Sequence, residues 1–476
     1  MRILGKLSHY EWALIALFLI TLPFVRLQIR EDGSSYYGIA RSLVVDHNLQ
    51  FRGDFNDRDS PSIEAHDPLG RPVTLHISKT GHLPVHSAIG ASLLFMPFVA
   101  AAHVAVLALD RFGAHIPADG FSKPYLLAMA AATCIYALAG LWISMRIARR
   151  YADERWAFLA TIALWLASSL PAYIYVDPAW SHAHSVFVVA LFLWCWISTR
   201  ENRSVAQWFV LGLISGLMIE VYFPNFVFVL VIASEIMTPW LASSHDKHPR
   251  DKKPATISLG NCFLYALAVA IAFSPTFVIR AILLGSPLAA GAYGNSGWNW
   301  TSPAFLQILF SPSQGLFTTT PIVIPAIIGL FFLPKRDATL GRGLIAAFVA
   351  FWALIAVYPF WNLGPAFGNR YFISLIPAFI PGLALLLSEC AQRWGNANGI
   401  ARRAWAVAAL LIVWNLGLVF QWNAGLMPDI GRVYWDELLY NQFRVVPGEA
   451  LHALHSRFTF HADEREAARD AATPPL

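Results

Sequence analysis

Apolar runs of about 20 residues recur along the chain, separated by short polar stretches. A helix of about 20 apolar residues crosses a hydrocarbon core about 30 Å thick. The pattern expects spans near 11–29, 124–145, 156–175, 183–198, 206–222, 225–241, 257–284, 317–333, 343–361, 371–390 and 404–422. The fold class is therefore an all-α polytopic membrane protein with about 11 transmembrane helices. The period-2 alternation of a membrane β-barrel is absent, and no internal repeat is visible.

Short loops rich in Arg and Lys orient such a bundle. "RIARRYADER" (146–155), "TRENR" (199–203), "SHDKHPRDKKP" (244–254), "PKRDATLGR" (334–342) and "QRWGNANGIARR" (392–403) are basic, as is the start of the chain with Arg2 and Lys6. All are expected on the cytoplasmic side. The stretch 85–110 is apolar enough to span, but a crossing there would send every later basic loop outside. It is expected to lie at the outer interface instead, as a long interfacial helix does. His86, His103 and Pro97 within it, and His115 beyond it, suit that position.

The expected organisation is then a transmembrane domain over 1–422, with residues 30–123 as a large outer first loop. A second outer loop covers 285–316. Residues 423–476 form a short outer cap and a charged tail. The N-terminus is expected inside and the C-terminus outside. The apolar run near the N-terminus is longer than a signal-peptide core and no small-x-small cleavage site follows it, so it is expected to be an uncleaved first span.

Composition agrees with this picture. The chain has 476 residues, 57% hydrophobic and 13% charged; a soluble domain carries about 25% charged residues. The net charge of +5 reflects loop topology and does not by itself indicate nucleic acid. The cysteines Cys134, Cys195, Cys262 and Cys390 fall in or beside apolar segments without paired spacing, which points to packing roles.

With this topology the unusual polar residues share the outer side. Glu31 and Asp32 follow the first span, in "RLQIREDGSSYYGIARSL" (26–43). "SKTGHLP" (78–84), "VDPAWSHAHS" (176–185), "SPSQGLFTTTP" (311–321) and "WNLGPAFGNRYF" (361–372) are the other segments. Ionisable groups at membrane depth are costly and usually face a functional cavity. Each has a plainer explanation beside that one. Glu31 and Asp32 suit a solvated helix end, with Arg30 neutralising one of them. Asp177, before Pro178, suits a turn that caps the next helix. Arg370 suits a side chain snorkelling to the interface, and Lys79 a solvated loop. The His82/His86 pair has the spacing for a divalent metal, without a carboxylate or cysteine pattern to complete a site. Trp298, Trp300 and Trp361 suit an aromatic belt.

Taken in order, "EDGSSYYGIARSL", "SKTGHLPVHSAIGASLLFMPF", "SPSQGLFTTTPIVIPAIIGL" and "FGNRYFISLIPAFIPGLALLL" resemble bacterial members of the C-type (GT-C) membrane glycosyltransferases. These are relatives of protein O-mannosyltransferases and of the transferases that add aminoarabinose to lipid A. The resemblance runs over roughly residues 10–390. It implies a first outer loop with juxtamembrane helices and an inner-membrane location in a bacterium. It also implies an inverting transfer from a polyprenyl-phosphate-linked sugar to an acceptor hydroxyl on a glycan, lipid or protein. No cofactor is implied, and no nucleic acid partner. The family's catalytic acid, early in the first outer loop, matches Asp32 or Glu31; a second acid matches Asp177; a lysine near the lipid phosphate matches Lys79. The acid pair reads Glu-Asp here where O-mannosyltransferases read Asp-Glu, so both carboxylates stay candidates for the base. The aminoarabinose transferases' "KPP" is "KTG" here.

The chemistry asks for such residues. A carboxylate within about 3 Å of the acceptor hydroxyl takes its proton. A fixed cation stabilises the leaving phosphate; Lys79 and Arg370 are the candidates. Asp32 is favoured as the base because it precedes Gly33, whose uncrowded backbone would let an acceptor approach. Tyr36, Tyr37, His82, His182 and Asn369 are expected to bind substrate. A P-loop or Rossmann glycine pattern is not seen, in keeping with a lipid-borne donor. The competing classes are a polyprenyl-lipid transporter or flippase, with broken helices in repeated halves, and a non-catalytic lipid-binding protein.

Overall fold

The computed structural model describes residues 6–49, 64–66, 72–74, 78–82, 87–241, 258–289, 297–362, 366–427 and 433–452. The basic loop 244–254, His86 and the tail beyond 452 lie outside the described residues.

The chain is overwhelmingly helical. In order the helices are α1 (His9–Thr21), α2 (Asp32–Arg41), α3 (Gly90–Arg111), α4 (Lys123–Ala148), α5 (Glu154–Leu166), α6 (His182–Thr199), α7 (Val205–Val221), α8 (Val229–Leu241), α9 (Leu259–Leu284), α10 (Phe305–Phe310), α11 (Leu316–Thr319), α12 (Val323–Leu330), α13 (Ala338–Val357), α14 (Ile376–Trp394), α15 (Ala397–Asn423) and α16 (Trp435–Tyr440). Among the described residues, 7 helices are long and apolar enough to cross a membrane. The chain is a polytopic membrane protein.

Several expected spans are shorter or broken, and each break has a local cause. The span expected at 156–175 ends as a regular helix at Leu166, then passes Ser168, Ser169 and Pro171 into a π turn at Ala172–Val176. The span expected at 317–333 is split into α11 and α12 at Pro321. Proline lacks the N–H that would continue the ladder. The carbonyls stranded there are satisfied from α15: Trp414 Nε1 donates to Thr318 O (2.8 Å) and Asn415 Nδ2 to Thr319 O (2.7 Å). In α9 the helix runs unbroken through Pro275, and the next amide, Thr276 N, donates to the buried Glu220 carboxylate of α7 at 2.9 Å.

The described basic loops meet at one end of the bundle, where their charges are paired between helices. Ser8 and Glu11 form a capping box at the start of α1. Glu11, only 1% exposed, also receives Arg146 and Trp142 from α4, while Arg149 bridges Glu11 to Glu154. Asp337 caps α13 and holds Arg200 and Tyr151. Arg336 pairs with Glu389.

Helix α3 is a single 22-residue helix that passes through Pro97 unbroken. It is among the helices long enough to span, but its two ends touch the same end of the bundle. At its start, Gly90 lies so close to Glu220 and Val221, the last residues of α7, that a Cβ would sit 2.3 Å from their backbone. Beyond its far end, the carbonyls of Asp119 and Gly120 accept from Arg41 and Tyr37 of α2. Ile39 of α2 in turn packs with Ile89, Ile279 and Leu283.

A small antiparallel hairpin stands in the first loop, with Glu64–His66 paired to Pro72–Thr74. The all-α expectation omitted it because three-residue strands carry too little alternation to register.

Candidate active site

The end opposite the basic loops collects the acidic and aromatic residues singled out by sequence. The turn between α1 and α2 does most of the placing. Arg26 N donates to Tyr175 O (2.8 Å), and Gln28 Nε2 donates to Val176 O (2.7 Å) and to Asp177 Oδ1 (3.3 Å). Arg30 gives Nε (3.1 Å) and Nη2 (3.0 Å) to the same Asp177 oxygen. At Glu31 the backbone turns through φ +50°, a conformation that costs a non-glycine residue of order 1–3 kcal/mol. The turn starts α2, and Asp32 then faces Arg370: the two charges are 3.6 Å apart. Residues 30 and 32 thus reach two different partners across one strained turn.

Arg370 is the centre of the site. Its side chain is 13% exposed, and its guanidinium lies over Trp180 (4.9 Å) and Tyr371 (5.1 Å). Among the described residues it donates no side-chain hydrogen bond; Asp32 is its ion-pair partner. It does not snorkel outward. The loop carrying it is set by Gly368, at φ +57°, where a Cβ would meet Ser169 Oγ at 2.5 Å. Asn369, 2% exposed, gives Nδ2 to Ile308 O (3.3 Å); among the described residues its Oδ1 has no hydrogen-bond partner, beside a small cavity lined by Ser168, Ser169 and Thr320.

The 177–182 loop is the facing wall. Thr133 of α4 donates to Pro178 O at 2.6 Å. Trp180 and His182 stack 5.8 Å apart, and His182 also meets Tyr173 and Tyr222 edge-on. Burial pushes the Asp177 carboxyl above its ordinary range, against the opposing pull of Arg30 and Gln28.

Several sequence expectations change here. Arg30 does not neutralise Glu31 or Asp32; its guanidinium is directed across the turn to Asp177, the better-buried acid. Asp177 does not cap α6, whose N-cap is Ser181. Gly33 is not an open approach for an acceptor: a Cβ there would stand 2.7 Å from Ala179 and 3.2 Å from Trp180. Glycine is needed at that place so that α2 packs against the 177–182 loop. Tyr37 is a packing residue, fully buried, with its hydroxyl committed to Gly120 O. Tyr36 is buried in the same cluster, and His182 is enclosed by rings, so neither presents an open surface.

Among the described residues, Lys79 and His82 make no hydrogen bond or ion pair with Arg370. Their turn is pinned to the C-terminal end of α9 by Thr80, which donates to Leu283 O at 2.7 Å, and His82 Nδ1 lies 3.2 Å from Thr80 Oγ1. Lys79 is exposed. Among the described residues no three His, Cys, Asp or Glu side chains converge as metal ligands. Sequence reasoning missed Gln28, Tyr173, Trp180, Tyr222 and Tyr371 as site walls. Trp180 was within reach, since it lies between Asp177 and His182 in one quoted segment.

No family model matches the chain, and no curated protein matches it. Among solved structures it is similar to ArnT from Cupriavidus metallidurans in the apo state, at 13% identity and a TM-score of 0.49, over 92% of this chain and 76% of that one.

Proposed function

We propose that the chain is an inner-membrane glycosyltransferase. It moves a sugar from a polyprenyl-phosphate carrier to an acceptor hydroxyl at the outer face, with inversion at the anomeric carbon. The observation that carries this reading is the Asp32–Arg370 pair. A guanidinium over the rings of Trp180 and Tyr371, with no hydrogen bond donated among the described residues, is suited to an anion. Beside it, Asp32 keeps 45% of its side chain exposed, where a second reactant can reach it.

In this reading Asp32 takes the acceptor proton. The acceptor oxygen attacks the anomeric carbon, the bond from that carbon to the phosphate oxygen breaks, and the phosphate leaves with the electron pair. Arg370 stabilises the charge gathering there. Arg30 and Asp177 hold the turn that presents Asp32, and Lys79 serves at the rim as a second cation for the lipid headgroup. The ordered segments "EDGSSYYGIARSL" and "FGNRYF" support the same class.

The test is to incubate purified protein with a polyprenyl-phosphate sugar and a pool of envelope acceptors, following sugar release and product anomer. Transfer with inversion that disappears in Asp32→Asn is expected. Movement of intact lipid-linked sugar across vesicles without cleavage would replace the enzyme by a flippase. Binding with neither outcome would leave a lipid-binding protein.

A further inference from the structure

The segment after the last long helix has one side clamped to the bundle and one side bare. Helix α16 continues through a π turn at Asn441–Val445. Leu438, Gln442 and Val446 are buried. Gln421 Nε2 donates to Gln442 Oε1 (2.7 Å) and to Leu438 O (3.3 Å), and Gln442 Nε2 donates to Trp414 O (3.0 Å). Gly417 is required beneath this contact, since a Cβ would stand 2.3 Å from Gln442 Nε2.

The contacts also give a depth. Helix α15 ends at Asn423, and Trp414 lies nine residues earlier, roughly 13 Å back along the helix at about 1.5 Å per residue. Asn441, next to Gln442, reaches instead to Leu426 O, beyond the end of α15, at 3.3 Å. The segment therefore crosses α15 within the length of that apolar helix. It does not stand above the helix as an aqueous cap would.

Its bare side is apolar. Tyr440 is 64% and Phe443 66% exposed, with Trp435 and Leu439 beside them. The rings of Phe443 and Trp414 are 6.4 Å apart, which joins this face to the exposed Leu410 and Val413 of α15. An aqueous cap would leave this aromatic face in water. An amphipathic helix lying in the membrane interface sets aromatic rings at headgroup level and turns its charges outward; Asp436, Glu437 and Arg444 are exposed and able to do so.

We propose that residues 434–443 form an interfacial helix whose Leu439 and Phe443 face is immersed in bilayer lipid at the site end of the protein. Its anchor Gln421 is followed by Trp422, whose ring lies 6.0 Å from the Arg30 guanidinium. The proposal does not depend on the glycosyltransferase reading.

The test uses the full chain in nanodiscs of phosphatidylethanolamine and phosphatidylglycerol, with a spin label on single cysteines introduced in a background lacking the native ones. Leu439→Cys and Phe443→Cys are compared with Leu410→Cys on the bare face of α15 and with the exposed Asn398→Cys in the first turn of α15, at the basic end of the bundle. All four positions carry surface side chains, so labelling disturbs no buried packing. Labels at 439 and 443 are expected to match 410, with high oxygen and low nickel-chelate accessibility. Accessibility to the chelate as high as at 398 would overturn the proposal, because the face would then be in water. Low accessibility to both reagents would overturn it too, because protein would then cover the face.

Discussion

The Asp32 carboxylate stands 3.6 Å from the Arg370 guanidinium, too far for a hydrogen bond and near enough for an ion pair. A carboxylate and a guanidinium at that spacing are close enough for one ligand oxygen beside the pair to reach both. Asp32→Asn removes the proton acceptor and keeps the shape. Turnover is expected to fall roughly 10²–10⁴-fold, with donor binding retained. Glu31→Gln measured beside it decides between the two acids; near-normal turnover in Asp32→Asn with loss in Glu31→Gln would assign the base to Glu31.

Arg370→Ala is expected to weaken binding of a polyprenyl phosphate and to cost roughly 10²–10³-fold in turnover, the range for removing a transition-state donor. Arg370→Lys is expected to recover little, because an ammonium cannot present a planar fork or stack its plane over Trp180 and Tyr371. Donor affinity measured by titration checks both variants, and unchanged affinity in Arg370→Ala would remove this residue from the phosphate site.

Asp177 gives a pH dependence with a definite sign. Its folded-state pKa lies above the unfolded value because burial dominates. The folded protein therefore holds the proton where the unfolded chain has lost it. The stability from this group is full below the unfolded pKa and is lost as pH rises through the folded one. Asn mimics the protonated form at every pH. The melting temperature of the unaltered protein minus that of Asp177→Asn is therefore expected to fall from pH 4 toward neutrality; a difference that grows over that interval contradicts the assignment.

Glu11 tests the opposite end. It is buried with Arg146, Arg149 and Trp142 directed onto it. Glu11→Ala removes the buried carboxylate shared by Arg146, Arg149 and Trp142, and breaking a buried ion pair on one side costs about 3–5 kcal/mol. A clearly lowered thermal midpoint in detergent is expected, while turnover of the folded fraction stays normal because the site lies at the other end.

Helix α3 decides the topology. Gly90 meets the end of α7, and the loop beyond α3 meets α2. A reporter fused at residue 118 is expected on the same side as one at 430, and opposite to fusions at 150 and 250. With the N-terminus inside, a reporter at 118 that reads inside would mean that α3 crosses the membrane.

The sequence by itself determined what depends on solvent transfer. Long apolar runs had to be helices in lipid, and Arg and Lys in short loops had to gather at one end. Contacts among Arg146, Arg200, Arg336 and their carboxylates show that gathering. The tertiary structure decided what depends on direction. That Arg30 reaches across to Asp177, beside a turn at Glu31 with positive φ, is a matter of backbone direction that no periodicity encodes. Whether Gly33 is open or filled depends on Ala179, and whether Tyr37 is a binding residue or a strut depends on Gly120, each brought near only by packing. The Asp32–Arg370 pair belongs to the same class, because hydropathy puts both residues at one end of the bundle and only the fold brings their charges together.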